Sequence, residues 1–442
     1  MNIESIRVKN FKSLCDLPLE NLPSYCVFVG RNGTGKTTIF RIFAFLKNCL
    51  AKNVRTALSA EGGRNGLREV LSRGHDKEDL EIEIQFRLEI AGTNRLVTYR
   101  LEIGDQPGRG TIVKREILRY KRGRHGSPFH FIDFSNGEGY AINNEEEFDK
   151  PDTELTREYQ KLDSPETLAI KGLGQFERFK AASAFRQLIE NWHISDFHIN
   201  SARGDKEEVE AEHLSASGDN LPSVARFLYE HHPKRFASIK DKMKKRVPGV
   251  SDIAVTVTED GRLLMRYSDG AFKEPFIDKN VSDGTIKMLA YLVLLEDPKP
   301  HPVLCVEEPE NQLYPELMGT LAEEFQQYAE RGGQVFVSTH SPDFLNAVPP
   351  ESIFWLEKTA GKTHVHRLTD FPLLLELVKQ GDLPGYLWNQ GLFDSNRLKE
   401  LIGTGAKRER ATMIARYFQP GKNTSKSFEV FITGVGKLQS ES

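Results

Sequence analysis

Residues 25–40 constrain the fold more than any other stretch of the chain. An apolar run over residues 26–29 ends at Gly30, and the pattern Gly-x-x-x-x-Gly-Lys-Thr follows it as far as Thr37. A phosphate-binding loop has this pattern when a buried strand precedes it and a helix follows it. The sequence therefore predicts a nucleotide-binding α/β core.

The residue types in this loop suit the binding of phosphate. Gly33 and Gly35 let the backbone curl so that its N–H groups face an anion, and the next helix points its positive end there. Lys36 is expected to reach the β- and γ-phosphates, and the Thr37 hydroxyl to hold Mg²⁺. A glycine-rich turn with a chance lysine is the alternative, but the amphipathic helix that follows favours the loop. The expected nucleotide-binding residues are Asn32, Gly33, Thr34, Gly35, Lys36, Thr37 and Thr38.

Composition excludes several classes of protein. The 442 residues allow two or three domains, and a net charge of -3 does not indicate a nucleic-acid binder. Four dispersed cysteines without a CxxC pair suit a reduced, cytoplasmic protein with neither disulfides nor a zinc site. We expect no signal peptide and no membrane span, since the first residues are polar and no run of about 20 apolar residues occurs.

Alternation of apolar residues predicts an antiparallel sheet in the first 120 residues. Its strands are expected at 3–11, 80–90, 96–103 and 112–120. The polar stretch 121–165, with its acidic run 145–147, is expected to be loop or a mobile insertion. Helices are expected at 166–192 and 221–247, and a β-hairpin at 253–267 around Asp260 and Gly261. From Asp283 onward the pattern predicts a parallel α/β segment, with elements at 284–296, 303–306, 313–329 and 334–338.

Two of the later strands end in residues that ATP hydrolysis needs. The apolar strand 303–306 runs into Glu307 and Glu308, and the next strand ends near His340. Since the carboxyl ends of parallel strands meet at one edge of a sheet, these side chains are expected to meet there. We assign Glu307 to the Mg²⁺ shell, Glu308 to the attacking water, and His340 to the γ-phosphate or that water. A surface pair of glutamates and a structural histidine are the alternatives.

A short segment before the helix at 284–296 has the properties of an anion site. Ser282 fits an N-cap, and Gly284 brings a bare backbone to the helix start. A simple helix cap is the alternative interpretation. If this helix cannot reach its own phosphate loop, it is placed to serve that of a partner.

Together these motifs resemble, in type and order, those of the ABC-type ATPase heads of the RecF, SMC and OLD group. The resemblance covers residues 1–120 and 270–357. Its parts are the strand end at 10–14, the loop at 30–37, the signature at 282–285, the acidic strand end at 307–310 followed by 313–315, and the switch at 338–341.

The resemblance implies an α/β head with a mixed or parallel P-loop sheet core, an antiparallel β lobe and a helical insertion. The sequence has no heptad seam and no internal repeat, so no long coiled coil is expected. It implies ATP and Mg²⁺ as ligands. It also implies a head-to-tail dimer, in which Ser282 and Gly284 of one protomer close on ATP held by Lys36 of the other, with 309–313 crossing the interface. The family's glutamine loop has no clean match; residues 72–75 and Gln85 are candidates.

The implied domains are an N-terminal ATPase lobe at 1–120, an insertion at 121–270, a C-terminal ATPase lobe at 271–370 and a helical extension with a tail at 371–442. Within the extension, 371–388 and 397–418 are expected to be helical, and 419–442 a loose tail. Transporter ATPases usually carry a longer signature, and AAA+ rings order their motifs differently, so both fit less well.

OLD-type relatives are nucleases because they add a Toprim domain, which needs clustered acids. The chain has no DxD motif, and the pair His364 and His366 suits an exposed strand better than a metal site. The chain thus resembles a stand-alone ATPase subunit of prokaryotic defence systems, which senses for or regulates a separately encoded nuclease or toxin. The alternative is a RecF-like DNA-repair ATPase that clamps DNA directly.

Two basic groups bear on DNA binding. One spans 240–246, and the other comprises Lys121, Arg122 and Arg124. Such groups neutralise phosphates in DNA-binding proteins, but they are also common on solvated helix faces. No aromatic residues interleave with them in the pattern that stacks bases.

The phosphate-loop assignment gives a direct prediction. Lys36→Ala removes the cation expected at the β- and γ-phosphates, so we expect it to abolish nucleotide binding in isothermal titration calorimetry. An ATP affinity near that of the wild type would contradict the assignment.

Overall fold

The computed structural model describes residues 2–398 except 76–77, 91–92, 122–127, 144–153, 155, 205 and 208. Several sequence predictions lie outside these residues: Arg122 and Arg124 of the second basic group, the acidic run 145–147, all but the first two residues of the helix expected at 397–418, and the tail 419–442.

The strands, numbered along the chain, are β1 (Ile3–Phe11), β2 (Leu14–Leu19), β3 (Tyr25–Gly30), β4 (Leu80–Ile90), β5 (Thr93–Gln106), β6 (Gly110–Tyr120), β7 (Phe129–Ser135), β8 (Glu138–Ile142), β9 (Arg157–Lys161), β10 (His193–Ser195), β11 (Lys206–Glu207), β12 (Asp252–Val257), β13 (Arg262–Ser268), β14 (Phe276–Ile277), β15 (Val303–Glu307), β16 (Gln334–Thr339), β17 (Ile353–Thr359) and β18 (Lys362–Arg367).

The helices are α1 (Lys36–Ala51), α2 (Val54–Gly62), α3 (Leu67–Val70), α4 (Ala169–Leu173), α5 (Lys180–Glu190), α6 (Ile199–Ala202), α7 (Leu221–His231), α8 (Pro233–Arg246), α9 (Asp283–Leu295), α10 (Met318–Glu330), α11 (Pro342–Leu345), α12 (Pro372–Lys379) and α13 (Pro384–Asn389).

The first sheet is antiparallel, in the order β2-β1-β4-β5-β6-β7-β8-β9. Its strands β1, β4, β5 and β6 confirm the four predicted from alternation. In β4 every second residue from Leu80 to Ile90 is buried, as a half-buried strand requires. The expectation of loop at 121–165 is wrong for the described part, since β7, β8 and β9 extend this sheet past residue 120. These strands are short and rich in polar residues because they approach the sheet's edge.

The second sheet is the nucleotide-binding core, in the order β10-β15-β16-β3-β17-β18. Its strands are parallel except β18, which forms an antiparallel hairpin with β17. The predicted parallel α/β segment is confirmed, with α9, β15, α10 and β16 following one another. The helix expected at 313–329 begins later, at Met318, after a short 3-10 turn over Pro315–Leu317.

A third, smaller sheet joins β11, β12, β13 and β14, and its β12–β13 hairpin was predicted. Gly261 has φ +77° at the turn, a conformation that suits glycine. The helix expected over 221–247 is instead two helices, α7 and α8. The break precedes Pro233, which lacks a backbone N–H and therefore suits a helix start.

The central strand β3 separates two apolar cores. All six of its residues are buried. Cys26 and Phe28 pack in a core with α1 and the first sheet, whereas Val27 and Val29 pack in a core with α9 and α10. The fold is therefore a mixed α/β head layered around this strand. In the part of the chain that the structure describes, the longest helix is α1 at 16 residues, and none is long and apolar enough to cross a membrane.

A buried amide joins the first two sheets. Gln334, at the start of β16, is 0% exposed. Its Oε1 accepts a hydrogen bond from the Ile3 N–H at 2.7 Å, and its Nε2 donates to Ile3 O at 2.9 Å and to Pro23 O at 3.0 Å. The Gln334 side chain, from the second sheet, thus satisfies the backbone N–H and C=O of Ile3 in β1 of the first sheet.

We expect Gln334→Leu to lower the free energy of unfolding by about 2–4 kcal/mol, because it leaves buried backbone groups of Ile3 without partners. Urea unfolding followed by circular dichroism measures this. Gln327→Leu, at an exposed position of α10, is the matched control. Equal stability of the two variants would show that the amide does not hold the sheets together.

Candidate functional site

The phosphate loop lies between β3 and α1, as predicted. Gly33 and Gly35 have φ of 79° and 109°, in the left-handed region that favours glycine. A Cβ atom at Gly35 would lie 2.4 Å from Thr363 Oγ1. Residue 35 is therefore restricted to glycine both by its backbone angle and by the approach of β18.

The Lys36 side chain reaches back to the first residue of the phosphate loop. Its Nζ donates to Gly30 O at 2.8 Å, and the residue is 5% exposed. Burial lowers the pKa of Lys36, and the nearby carboxylates of Glu308, Glu310 and Glu307 oppose that shift. The ammonium group is therefore already positioned at the loop and has few competing contacts with water.

A pocket of 450 Å³ surrounds this lysine, a volume typical of small-ligand sites. The predicted residues that line it are Asn32, Gly33, Gly35, Lys36, Thr37, Thr38 and Glu308. Thr34 does not line it, because its hydroxyl donates to Arg31 O at 2.9 Å. Lys12, Ser13 and Lys358 also line the pocket, and none of them was predicted as a binding residue.

The two predicted Mg²⁺ ligands lie next to each other. Glu307 ends β15, and its carboxylate accepts a hydrogen bond from the Thr37 side chain. Burial raises the pKa of Glu307, and the bond from Thr37 opposes the rise. A hydroxyl and a carboxylate are the oxygen donors that Mg²⁺ prefers, so the residues present fit this ion.

The two predicted catalytic residues also meet. β15 and β16 are adjacent and parallel, and Glu308 Oε1 lies 3.0 Å from His340 Nε2. The Glu308 N–H donates to Ser338 O at 2.9 Å, and Asn311 Nδ2 donates to its Oε2 at 3.1 Å. Glu308 has φ 43°, an uncommon backbone for a residue other than glycine. The surrounding contacts thus hold a strained backbone that directs the carboxylate toward His340.

The signature residues lie apart from this pocket. Ser282 is exposed and caps α9 by accepting a hydrogen bond from the Thr285 N–H at 3.3 Å. Gly284 is buried, and a Cβ atom there would lie 2.8 Å from Gln312 O. Neither Ser282 nor Gly284 lines the pocket around Lys36. Within one protomer, therefore, the signature does not complete its own nucleotide pocket.

A buried lysine connects the signature helix to the acidic strand end. Lys287 Nζ donates to Asn311 O at 2.6 Å, and Asn311 in turn binds Glu308. Burial lowers the pKa of Lys287 to about 8, against the opposing charges of Glu310 and Glu308. Two contacts in series thus join α9 to the carboxylate assigned to the attacking water.

Two supporting residues were missed by sequence reasoning. Thr363 Oγ1 donates to Thr34 O at 2.8 Å and lies 2.8 Å from Ser13 Oγ. Arg203 donates to Val281 O at 2.9 Å and pairs with Asp283 at the start of α9. Both act on motifs that lie far away in sequence, so no local pattern could have revealed them.

The remaining sequence-based candidates have structural partners or lie elsewhere. His366 Nε2 lies 3.2 Å from Glu357 Oε2 on the β17–β18 hairpin and its side chain is 25% exposed, so of the two histidines only His364 lies on the exposed strand face that was expected. The glutamine-loop candidates, residues 72–75 and Gln85, do not line the pocket around Lys36. In the basic group at 240–246, Lys242 contacts Glu296 and Glu324 at 2.8 and 2.6 Å, which favours a structural role for that residue.

Comparisons with known proteins agree with this geometry. Residues 26–346 match the family described as "AAA domain, putative AbiEii toxin, Type IV TA system". The DNA replication and repair proteins RecF of Lactococcus lactis subsp. cremoris (strain MG1363) and subsp. lactis (strain IL1403) are each 28% identical over 149 residues, or 32% of this chain. That stretch spans 40% of the length of each relative.

Solved structures of SMC heads are similar at low sequence identity. The SMC head bound to the C-winged helix domain of ScpA is 14% identical, with a TM-score of 0.48, over 83% of this chain and 97% of that one. The SMC head domain from Thermotoga maritima is 12% identical, with a TM-score of 0.40, over 83% and 99%.

The contacts of Glu308 give a prediction for hydrolysis. Glu308→Gln keeps the shape of the side chain but removes the charge that would polarise water, so we expect ATP to bind and turnover to fall by about 100-fold. A phosphate-release assay measures turnover, and Glu323→Gln, at an exposed site on α10, is the control. Unimpaired turnover in Glu308→Gln would show that another residue orients the water.

Proposed function

The chain belongs to the AAA-domain family whose model matches residues 26–346 and is an ABC-type ATPase of the RecF/SMC group, and we propose that it pairs head to tail around ATP. We further propose that it regulates a separately encoded effector in prokaryotic antiphage defence. The family implies ATP hydrolysis. The observation that carries the finer proposal is the separation of the signature from the pocket around Lys36. An exposed Ser282 at the start of the 13-residue α9 is free to meet the nucleotide of a second copy.

In the proposed mechanism, Lys36 and the loop backbone bind the phosphates of ATP. Thr37 and Glu307 are the residues that would hold Mg²⁺, which supplies charge neutralisation at the phosphate oxygens when bound. Glu308 is proposed to orient the attacking water, and His340 to hold the water or the γ-phosphate. The short distance between Glu308 and His340 supports their acting together.

The contacts between α9 and Glu308 support a role for pairing in hydrolysis. When a partner's nucleotide meets Ser282, any shift of α9 is transmitted through Lys287 to Asn311, and from Asn311 to Glu308. The close packing of Gly284 on Gln312 O makes a second contact between α9 and the 309–313 segment. Hydrolysis would then be coupled to assembly, as a sensor requires.

The defence role is supported by the family description, which names an AbiEii toxin and a toxin–antitoxin system. We propose a cytoplasmic protein whose partners are a second copy of itself and an effector protein, a nuclease or a toxin. A direct DNA clamp is the second candidate, favoured by the 28% identity to RecF proteins. The ion pairs of Lys240 with Asp252 and of Arg246 with Glu324 weaken that candidate, because they occupy much of the basic group.

Pairing is tested in the Glu308→Gln background, where ATP is expected to persist. We expect ATP to double the mass measured by light scattering, and an added Ser282→Arg to keep the protein monomeric without changing ATP affinity. Ser135→Arg, at the exposed last position of β7, is the control and should still pair. If pairing survives Ser282→Arg, the signature does not lie at an interface.

The effector is tested by a pull-down of tagged Glu308→Gln protein expressed from its own locus and identified by mass spectrometry. A stoichiometric nuclease-like or toxin-like protein supports the defence proposal. Recovery of the ATPase alone, or with nuclease-sensitive DNA, favours the DNA clamp.

A further inference from the structure

A second cluster of chemically active side chains lies at the far end of the core sheet from the phosphates. A cleft of 1370 Å³ runs along the edge strand β10, with Glu307 near one end and His193, His213 and His301 near the other. His301 precedes β15 and Glu307 ends it. Six residues of extended chain separate them by about 20 Å, so the histidines are not part of the nucleotide pocket.

Three donor atoms converge in this cluster. Single ligand atoms of His213, Asp297 and His301 all lie within 4.8 Å of one another. His213 Nδ1 is 2.6 Å from Asp297 Oδ2, and His301 Nε2 is 3.8 Å from the same oxygen. Donor atoms around a tetrahedral zinc ion are about 3.3 Å apart, given Zn–N and Zn–O distances near 2 Å, so small side-chain adjustments suffice to bind an ion.

Hydrogen bonds to the other atoms of His301 and Asp297 turn their ligand atoms toward the centre of the cluster, as is common for metal ligands. His301 Nδ1 lies 3.1 Å from Asn191 O, so it carries the proton and leaves the Nε2 lone pair available. That Nε2 is buried and has no hydrogen-bond partner among the residues that the structure describes. Asp297 is 3% exposed, and its Oδ1 accepts from the Lys299 N–H at 2.8 Å, which leaves Oδ2 facing the histidines.

A fourth residue, His193, packs against the cluster. The ring of His193 lies 4.8 Å from that of His301, and the residue is 6% exposed. The buried ring of His193 therefore packs against the cluster but contributes no ligand atom to it.

We propose that His213, Asp297 and His301 bind one divalent transition-metal ion of the zinc class, with the fourth position open to the cleft. Two imidazoles and one carboxylate suit zinc better than magnesium, which prefers oxygen ligands. The ion would join two segments, since His213 lies in the insertion, whereas Asp297 and His301 both lie in the connection between α9 and β15. None of its ligands lines the pocket around Lys36, so metal binding can be measured apart from nucleotide binding, although Thr37, Glu307 and Glu308 line the same cleft.

The test uses the full chain, freed of metal with a chelator and titrated with Zn²⁺ in competition with a chromophoric chelator. We expect one equivalent to bind the wild type, and His213→Ala to weaken that binding by more than about 10-fold. The His213 side chain is 43% exposed, so its loss should leave the fold intact. His198→Ala is the matched control, since His198 lines the same cleft, is 64% exposed and lies outside the cluster.

Two further measurements do not depend on whether His213→Ala keeps its fold. Zn²⁺ should raise the melting temperature of the wild type and of His198→Ala, because a ligand that binds the folded state stabilises it. Co²⁺ bound to the wild type should give the intense visible absorption of a tetrahedral site. Absence of binding by the wild type, or equal binding by His213→Ala and His198→Ala, would overturn the proposal and leave a plain hydrogen-bonded His–Asp pair.

Discussion

The hydroxyl of Thr363 is the contact on which the nucleotide pocket depends. It donates to Thr34 O inside the phosphate loop and touches Ser13 Oγ at the end of β1. The β17–β18 hairpin therefore supports the loop from outside the strand–loop–helix unit. The left-handed glycines permit the curled backbone, but this hydrogen bond and the packing on Gly35 select one curled form from the many that glycine allows.

A second dependence runs across the acidic strand end. Glu308 has an uncommon backbone angle, and it is held there by the bond that its N–H donates to Ser338 O of β16 and by the bond that Asn311 Nδ2 donates to its carboxylate. The backbone carbonyl of Asn311 also accepts a hydrogen bond from the Lys287 ammonium group. The carboxylate is thus positioned by a segment that itself rests on α9. The same few contacts therefore orient the Glu308 carboxylate and connect it to the signature helix α9.

Sequence predicted the parts of this molecule that are locally encoded. The phosphate loop, the strands β15 and β16 and the β12–β13 hairpin each carry their signal within about a dozen residues. The strands β7 to β9 were missed because a sheet edge with water on one side needs few apolar residues. The break before Pro233 is encoded locally, because proline favours the first turn of a helix, so this boundary was predictable from the sequence.

The predicted site residues are mostly close together, but their supports could not be predicted. Gln334, Thr363 and Arg203 act on backbone groups or motifs that only the tertiary fold brings near them. The His213 cluster has the same origin, since Asp297 and His301 lie in one connection but His213 lies 84 residues before Asp297. Polar side chains of this kind look like ordinary surface residues until the pairing of strands is known.

The long reach of these supports has a consequence for synthesis of the chain. Thr34 and Thr363 are 329 residues apart, and Ile3 and Gln334 are 331 apart. A ribosome that adds about 5–20 residues per second needs about 20–60 s to make the second partner after the first. During that time the nascent chain holds a phosphate loop without the Thr363 contact and Ile3 backbone groups without the Gln334 side chain. These contacts of the phosphate loop and of Ile3 are therefore completed only near the end of translation.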